Sequence, residues 1–292
     1  MMGKDTKISW TRSASGHPGS TFNPWWGCLK VSEECLHCYA DTFATRYGHR
    51  IFGNNPRRIF TTDKHWNEPL AWNTAARAAG ERRKVFCMSM GDLFEDRPEL
   101  AAPRARVFDL IRRTDWLDWL LCTKRPERLQ DMLPVGWNDH PYSNVWLLAT
   151  AGTGARFTER WGHLSKISAV VRGISAEPLL GSLMPALRAM ARAKDPVPDW
   201  IIVGGESGFP ARPIGNADGD PNVEDDCNIQ AAGEILGACQ ALGIAYYFKQ
   251  TGSVFARHAH FKDRRAGADP SEWPADMRVQ EFPTRRAVKG AR

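Results

Sequence analysis

The chain has no apolar run approaching the roughly 18 residues of a membrane span, and its polar start, Met1-Met-Gly-Lys-Asp-Thr-Lys7, has none of the apolar character of a secretory leader. The expectation is a cytoplasmic protein with no membrane partner. Its seven cysteines are odd in number and scattered outside one cluster, which suits a reducing compartment better than a disulfide framework. No segment repeats. The chain holds no Walker phosphate loop, His-Glu-x-x-His helix or Gly-x-Ser-x-Gly turn, so the mechanisms those motifs carry have no foothold. Charge of neither sign dominates: 39 Lys and Arg stand against 33 Asp and Glu. The formal excess of +6 and a pI near 9.0 favour anionic partners only weakly.

What remains is globular material of 292 residues, 42% hydrophobic and 25% charged, enough for one large core or two small ones. Short apolar runs at Thr21–Trp26, Lys84–Met90, Trp116–Cys122, Val145–Thr150, Ala169–Ile174, Trp200–Val203 and Ile244–Phe248 alternate with segments of near-helical spacing at Pro98–Arg113, Pro126–Leu133, Leu180–Ala193 and Asn228–Leu242. That order predicts repeated βα units. Runs that are apolar throughout belong to strands buried on both faces. The expected fold is therefore α/β over residues 1–255, either an open doubly wound sheet or a partial or closed TIM-like (βα) barrel of about six to eight mostly parallel strands, and the polar chemistry that follows each strand favours the barrel. Residues 256–292 are rich in arginine, lysine and histidine with little periodic apolar pattern, and read as a basic, solvated extension. Most of the twelve tryptophans stand beside aliphatic residues, as in Trp116-Leu-Asp-Trp-Leu-Leu121, so packing explains them better than base stacking.

Cys28, Cys35 and Cys38 fall within eleven residues. Soft thiolates in a Cys-x-x-Cys pair, with a third cysteine upstream, can surround one metal centre and leave a coordination position open. A structural zinc needs a fourth ligand. His37 lies inside the Cys-x-x-Cys loop, poorly placed to join its neighbours, and Cys87 is distant in sequence, so an iron–sulfur cluster is the better reading. Cys87, Cys122 and Cys239 lie in apolar surroundings and read as small buried hydrophobes.

Active sites of such barrels gather at the C-terminal strand ends. Here the first run leads into the cysteines, and later runs end in Ser89-Met-Gly-Asp92, Thr123-Lys-Arg125, Ser175-Ala-Glu-Pro178, Gly204-Gly-Glu-Ser-Gly208 and Lys249-Gln250. The fourth run ends in Thr150-Ala-Gly-Thr153, where only backbone contacts are expected. Glu177 emerges from a buried strand and needs a partner, which Lys249, Lys124 or Arg125 can supply. Asp92 suits a helix cap or catalysis. Gly204 and Gly205 let backbone approach a ligand, while Glu206 presents a carboxylate. Lys124, Arg125 and Lys249 make one side of the mouth basic, which suits an anionic substrate such as a nucleotide or nucleic acid.

Taken in order over residues 8–252, the stretch Trp10 to Ala40, Ser89-Met-Gly-Asp-Leu-Phe94, Thr123-Lys-Arg-Pro126, Ser175-Ala-Glu-Pro-Leu-Leu180, Gly204-Gly-Glu-Ser-Gly208 and Phe248-Lys-Gln250 resembles a phage-associated three-cysteine-motif family related to radical S-adenosylmethionine (SAM) enzymes. The resemblance implies a barrel of the radical-SAM type and a 4Fe-4S cluster held by Cys28, Cys35 and Cys38, with SAM's amine and carboxylate on the fourth iron. It implies reductive cleavage of SAM to methionine and a 5′-deoxyadenosyl radical that abstracts hydrogen, chemistry the cofactor supplies. A flavodoxin or ferredoxin would be the reductant. Catalytic roles then fall to Glu177, Lys249 and Asp92, and the cofactor shell to Tyr39, Ser89, Thr123, Lys124, Arg125, Ser175, Gly204, Gly205, Glu206, Ser207 and Gln250. Tyr39 matches an aromatic that packs near the SAM adenine or against the cluster, and Glu206 would meet the SAM ammonium or a ribose hydroxyl. Six residues separate Cys28 from Cys35, where the commonest radical-SAM spacing has three. The rival, from another class, is a nucleic-acid-binding module with a structural zinc or iron–sulfur site, whose affinity comes from the basic extension.

Overall fold

A proline divides the first expected strand. In the computed structural model, which describes residues 3–54, 57–215, 229–288 and 290–291, Thr21–Trp26 is split into β1 (Ser20–Phe22) and β2 (Trp25–Trp26). Pro24 between them has no N–H to give a ladder. β2 pairs antiparallel with β3 (Ile59–Phe60), and this small ladder carries the chain out over the barrel mouth.

β1 joins the main sheet with β4 (Arg83–Cys87), β5 (Leu117–Thr123), β6 (Val145–Thr150), β7 (Val171–Ala176), β8 (Trp200–Gly204) and β9 (Ala245–Gln250). Among the described residues these seven strands lie in the order β1-β4-β5-β6-β7-β8-β9, every neighbour parallel. β1 and β9 are the two edges, so the sheet is a curled half-barrel, the partial form of the expected TIM-like fold. Side chains alternate between its faces. Val85, Trp119, Leu147, Ile174, Ile201 and Tyr246 point outward into the larger core. There they meet α2 (Asp63–Ala78), α3 (Ala101–Arg112), α4 (Leu129–Met132), α5 (Gly154–Leu164), α6 (Met184–Ala193) and α7 (Ile229–Leu242). α1 (Tyr39–Arg46) follows the cysteines and packs beneath the β2–β3 ladder through Ala40 and Ala44, while α8 (Ser253–His258) follows β9. α5 lies outside the expected helices, although Phe157, Trp161 and Leu164 supply a buried stripe and Thr153 caps it by accepting from the Arg156 N–H. Asn228, the expected start of α7, lies outside the described residues.

The inward positions Leu120, Trp146, Leu148, Trp200, Ile202 and Tyr247 form a second core inside the half-barrel. Trp10, on a short helical turn (Ser9–Thr11) that touches β4 and β9, fills it from the open side. It is 3% exposed, its ring 4.8 Å from Phe86 and 6.3 Å from Trp200. Packing accounts for this tryptophan, as its sequence neighbours suggest.

The expected solvated extension keeps most of its basic side chains exposed but is anchored to the barrel through a few apolar residues. Phe261, Trp273 and Met277 are buried, Gln280 pairs antiparallel with Tyr247, and the Trp200 indole donates to the Glu281 carbonyl at 3.0 Å. Arg286 pairs with Asp199. The segment runs as short 3-10 turns and irregular chain, so its apolar residues carry no period for a sequence reading to find. Among the described residues no helix is long and apolar enough to cross a membrane.

Candidate functional site

The cysteine loop is built by its neighbours. Gly27 turns it inward at φ 110°, where a Cβ would lie 2.7 Å from the Ile51 carbonyl. Beyond Cys28, the Leu29 N–H donates to Glu95 at 3.0 Å, and Glu95 pairs with Arg58, both side chains sealed from solvent. Arg125 takes the other side, donating to the Leu29 carbonyl at 2.9 Å and to the Cys28 sulfur at 3.4 Å. At the far end Glu34 accepts from the Gly152 N–H at 2.9 Å and from Arg160 at 3.1 Å. Glu33 pairs with Arg156 at 3.1 Å, and Cys38 leads into α1. The loop is thus held by charged bonds that need no metal.

Cys28, Cys35 and Cys38, free of disulfides, line one cavity of about 510 Å³ at the C-terminal ends of the strands. Among the described residues no three Cys, His, Asp or Glu side chains cluster round a single point as one metal ion would need. Burial pushes the Cys28 thiol up to about 12, against the opposing charge of Arg125. Burial works against the charge of Lys124, but its acidic neighbours Cys35, Cys122, Cys38 and Glu34 outweigh that and raise its pKa.

Nearly every polar strand end reaches the same cavity. Tyr39, Ser89, Asp92, Thr123, Lys124, Arg125, Ser175, Glu177, Gly205, Glu206, Ser207, Lys249 and Gln250 all line it. The Tyr39 hydroxyl donates to the Ser89 carbonyl at 2.5 Å, bridging α1 to the β4 loop. Glu177 takes Lys249 from the three expected partners, at 2.7 Å, and accepts from Ser175 at 3.2 Å. Gln250 donates to the Gly205 carbonyl at 2.8 Å.

Several roles differ from those expected. Gly204 is absent from the cavity wall; a Cβ there would stand 3.1 Å from Glu177 Oε1, so the glycine makes room for that carboxylate. At Gly205 a Cβ would meet the Thr251 carbonyl at 2.2 Å, so the backbone it admits is the chain's own. Glu206 is engaged by Arg212 at 2.6 Å and His37 at 2.9 Å, and these bonds hold its carboxyl low despite burial. Asp92 caps no helix: it accepts from Phe94 N–H, Thr123, Lys124 N–H and Arg125. Cys122 points inward, lines the cavity and lies 3.4 Å from the Thr150 hydroxyl. Glu34, Glu95, Arg58 and Arg160 escape a reading of strand ends because their partners lie far away in sequence, and Arg212 escapes it because it stands in the loop six residues beyond Glu206. Only the density of charge inside buried loops hints at them.

A family model described as a protein of unknown function, DUF5131, matches residues 5–277, and the chain belongs to that family. No curated protein and no solved structure matches it.

Proposed function

We propose that the protein is an enzyme of the radical-SAM type, in which Cys28, Cys35 and Cys38 hold a 4Fe-4S cluster. The observation that carries this reading is the meeting of three free thiols and the polar strand ends in one cavity at the mouth of a parallel half-barrel. A cluster takes each thiolate on a different iron, so it asks for cysteines round a cavity rather than round a point. Lys124 and Arg125 beside the sulfurs offset the negative charge that three thiolates bring. When bound, the cluster and SAM supply one-electron cleavage and a carbon radical.

The protein's own part is binding and exclusion. Lys124 and Lys249 offer ammonium groups to a carboxylate or phosphate, with Glu177 orienting Lys249. Ile8, Trp10 and Phe86 form an apolar floor that keeps water from a reactive intermediate. An anionic small molecule or nucleotide suits this lining, and flavodoxin or ferredoxin would deliver the electron. The rival module, with affinity in a free basic tail, is less favoured because that tail is tied to the barrel through Phe261, Trp273 and Met277 and through the pair Arg286–Asp199, although most of its basic side chains are exposed.

The test is electron paramagnetic resonance of anaerobically reconstituted, dithionite-reduced protein, with and without SAM. A cluster signal altered by SAM, and lost in Cys35→Ala, supports the reading. Full reconstitution without signal, or SAM cleavage by Cys35→Ala, overturns it.

A further inference from the structure

We propose that Arg125 sets the reduction potential of the metal centre by donating a charged hydrogen bond to the sulfur of Cys28. The proposal rests on the reading that Cys28, Cys35 and Cys38 hold a cluster, and moves Arg125 from SAM binding to the centre itself. Its guanidinium is held in place by three bonds. Nη1 lies 3.4 Å from Cys28 Sγ and 3.0 Å from Asp92 Oδ2, while Nη2 lies 2.9 Å from the Leu29 carbonyl. The Arg125 and Asp92 side chains are only 8% and 6% exposed. Asp92 is itself pinned by Thr123 at 2.7 Å, the Phe94 N–H at 3.0 Å and the Lys124 N–H at 3.1 Å. Swinging toward a ligand in the cavity would break three bonds at once.

Reduction adds one electron to a cluster from an external one-electron donor; no bond breaks and no proton moves. The added negative charge spreads onto the ligand sulfurs. A fixed cation donating to one of them stabilises the reduced state more than the oxidised one, in surroundings where water screens little. Arg125 therefore raises the potential, and Asp92, its counter-ion, draws part of that effect back.

The experiment is a redox titration, followed by electron paramagnetic resonance, of reconstituted wild type, Arg125→Met, Arg125→Lys and Asp92→Asn, with iron content measured for each. The expected midpoint is more negative in Arg125→Met, closer to wild type in Arg125→Lys and more positive in Asp92→Asn. Opposite shifts cannot come from a loosened loop, which would move Arg125→Met and Asp92→Asn alike. Iron-loaded variants with the wild-type midpoint, or with shifts of one sign, overturn the proposal. If Arg125→Met holds no iron, Arg125→Lys and Asp92→Asn decide by the same criterion. A wild type that holds no cluster overturns the underlying reading as well, and does so before any variant is titrated.

Discussion

Glu34, one residue before Cys35, meets Arg160 of α5 at 3.1 Å with their side chains 0% and 3% exposed. This pair ties the cysteine loop to the β6–α5 connection, where Gly152 gives its N–H to the same carboxylate oxygen. Removing one partner leaves the other charge buried and alone. Glu34→Ala is expected to cost about 3–5 kcal/mol in urea unfolding, and a loss under 1 kcal/mol would show that water replaces the carboxylate.

Gly205 has no room for a side chain, because the Thr251 carbonyl occupies the position of a Cβ at 2.2 Å. Gly205→Ala must push β8 and β9 apart at their C-terminal ends. The expected outcome is a lower melting temperature together with weaker SAM binding by calorimetry. A variant with wild-type stability would mean the strand ends slide freely.

Trp10 closes the inner core against Phe86 and Trp200. Trp10→Ala opens a cavity there and is expected to cost about 3–5 kcal/mol by chemical denaturation, the helix-covered outer core being untouched. Near-wild-type stability would mean that the C-terminal segment collapses into the gap.

Lys84 lies inside the barrel's lower end, donating to the Arg12 carbonyl at 2.6 Å, 4.3 Å from the Phe282 ring and 5.5 Å from that of Trp146. Burial lowers its pKa from 10.5 to about 8, with Asp118 and Glu81 opposing. Below pH 8 the ammonium is charged in both states and its burial cost is fully present. Between pH 8 and 10.5 only the unfolded chain keeps the proton, so Lys84 contributes a rise in stability of about 3 kcal/mol. Buried thiols such as Cys239, pushed up to about 12, act in the opposite direction, so the readout is the difference between wild type and Lys84→Met. A difference independent of pH would refute the assignment.

Lys249 brings its ammonium to the cavity beside Glu177. If SAM or an anionic substrate uses it, Lys249→Met weakens binding by roughly tenfold, the worth of one charge-assisted hydrogen bond. Unchanged affinity would assign Lys249 to Glu177 alone.

The repeated unit of apolar run and helix was legible in the sequence, because a parallel strand buried on both faces must be apolar along its length, as Val145–Thr150 is. So was the placement of Asp92, Lys124, Glu177 and Lys249 at the C-terminal ends of strands, since a parallel sheet sends all such ends the same way. The sequence could not decide which charges those groups would meet. Glu34 finds Arg160 and Glu95 finds Arg58 only once the strands have curled, and the pairing of Glu206 with His37 is equally non-local. The anchoring of the C-terminal segment lay equally out of reach, because irregular chain buries Trp273 and Met277 without any period. Local pattern determined the strands and their order. Tertiary structure alone decided the curl of the sheet, the partners of each buried charge and the shape of the cavity, because each depends on contacts between residues that no sequence spacing links.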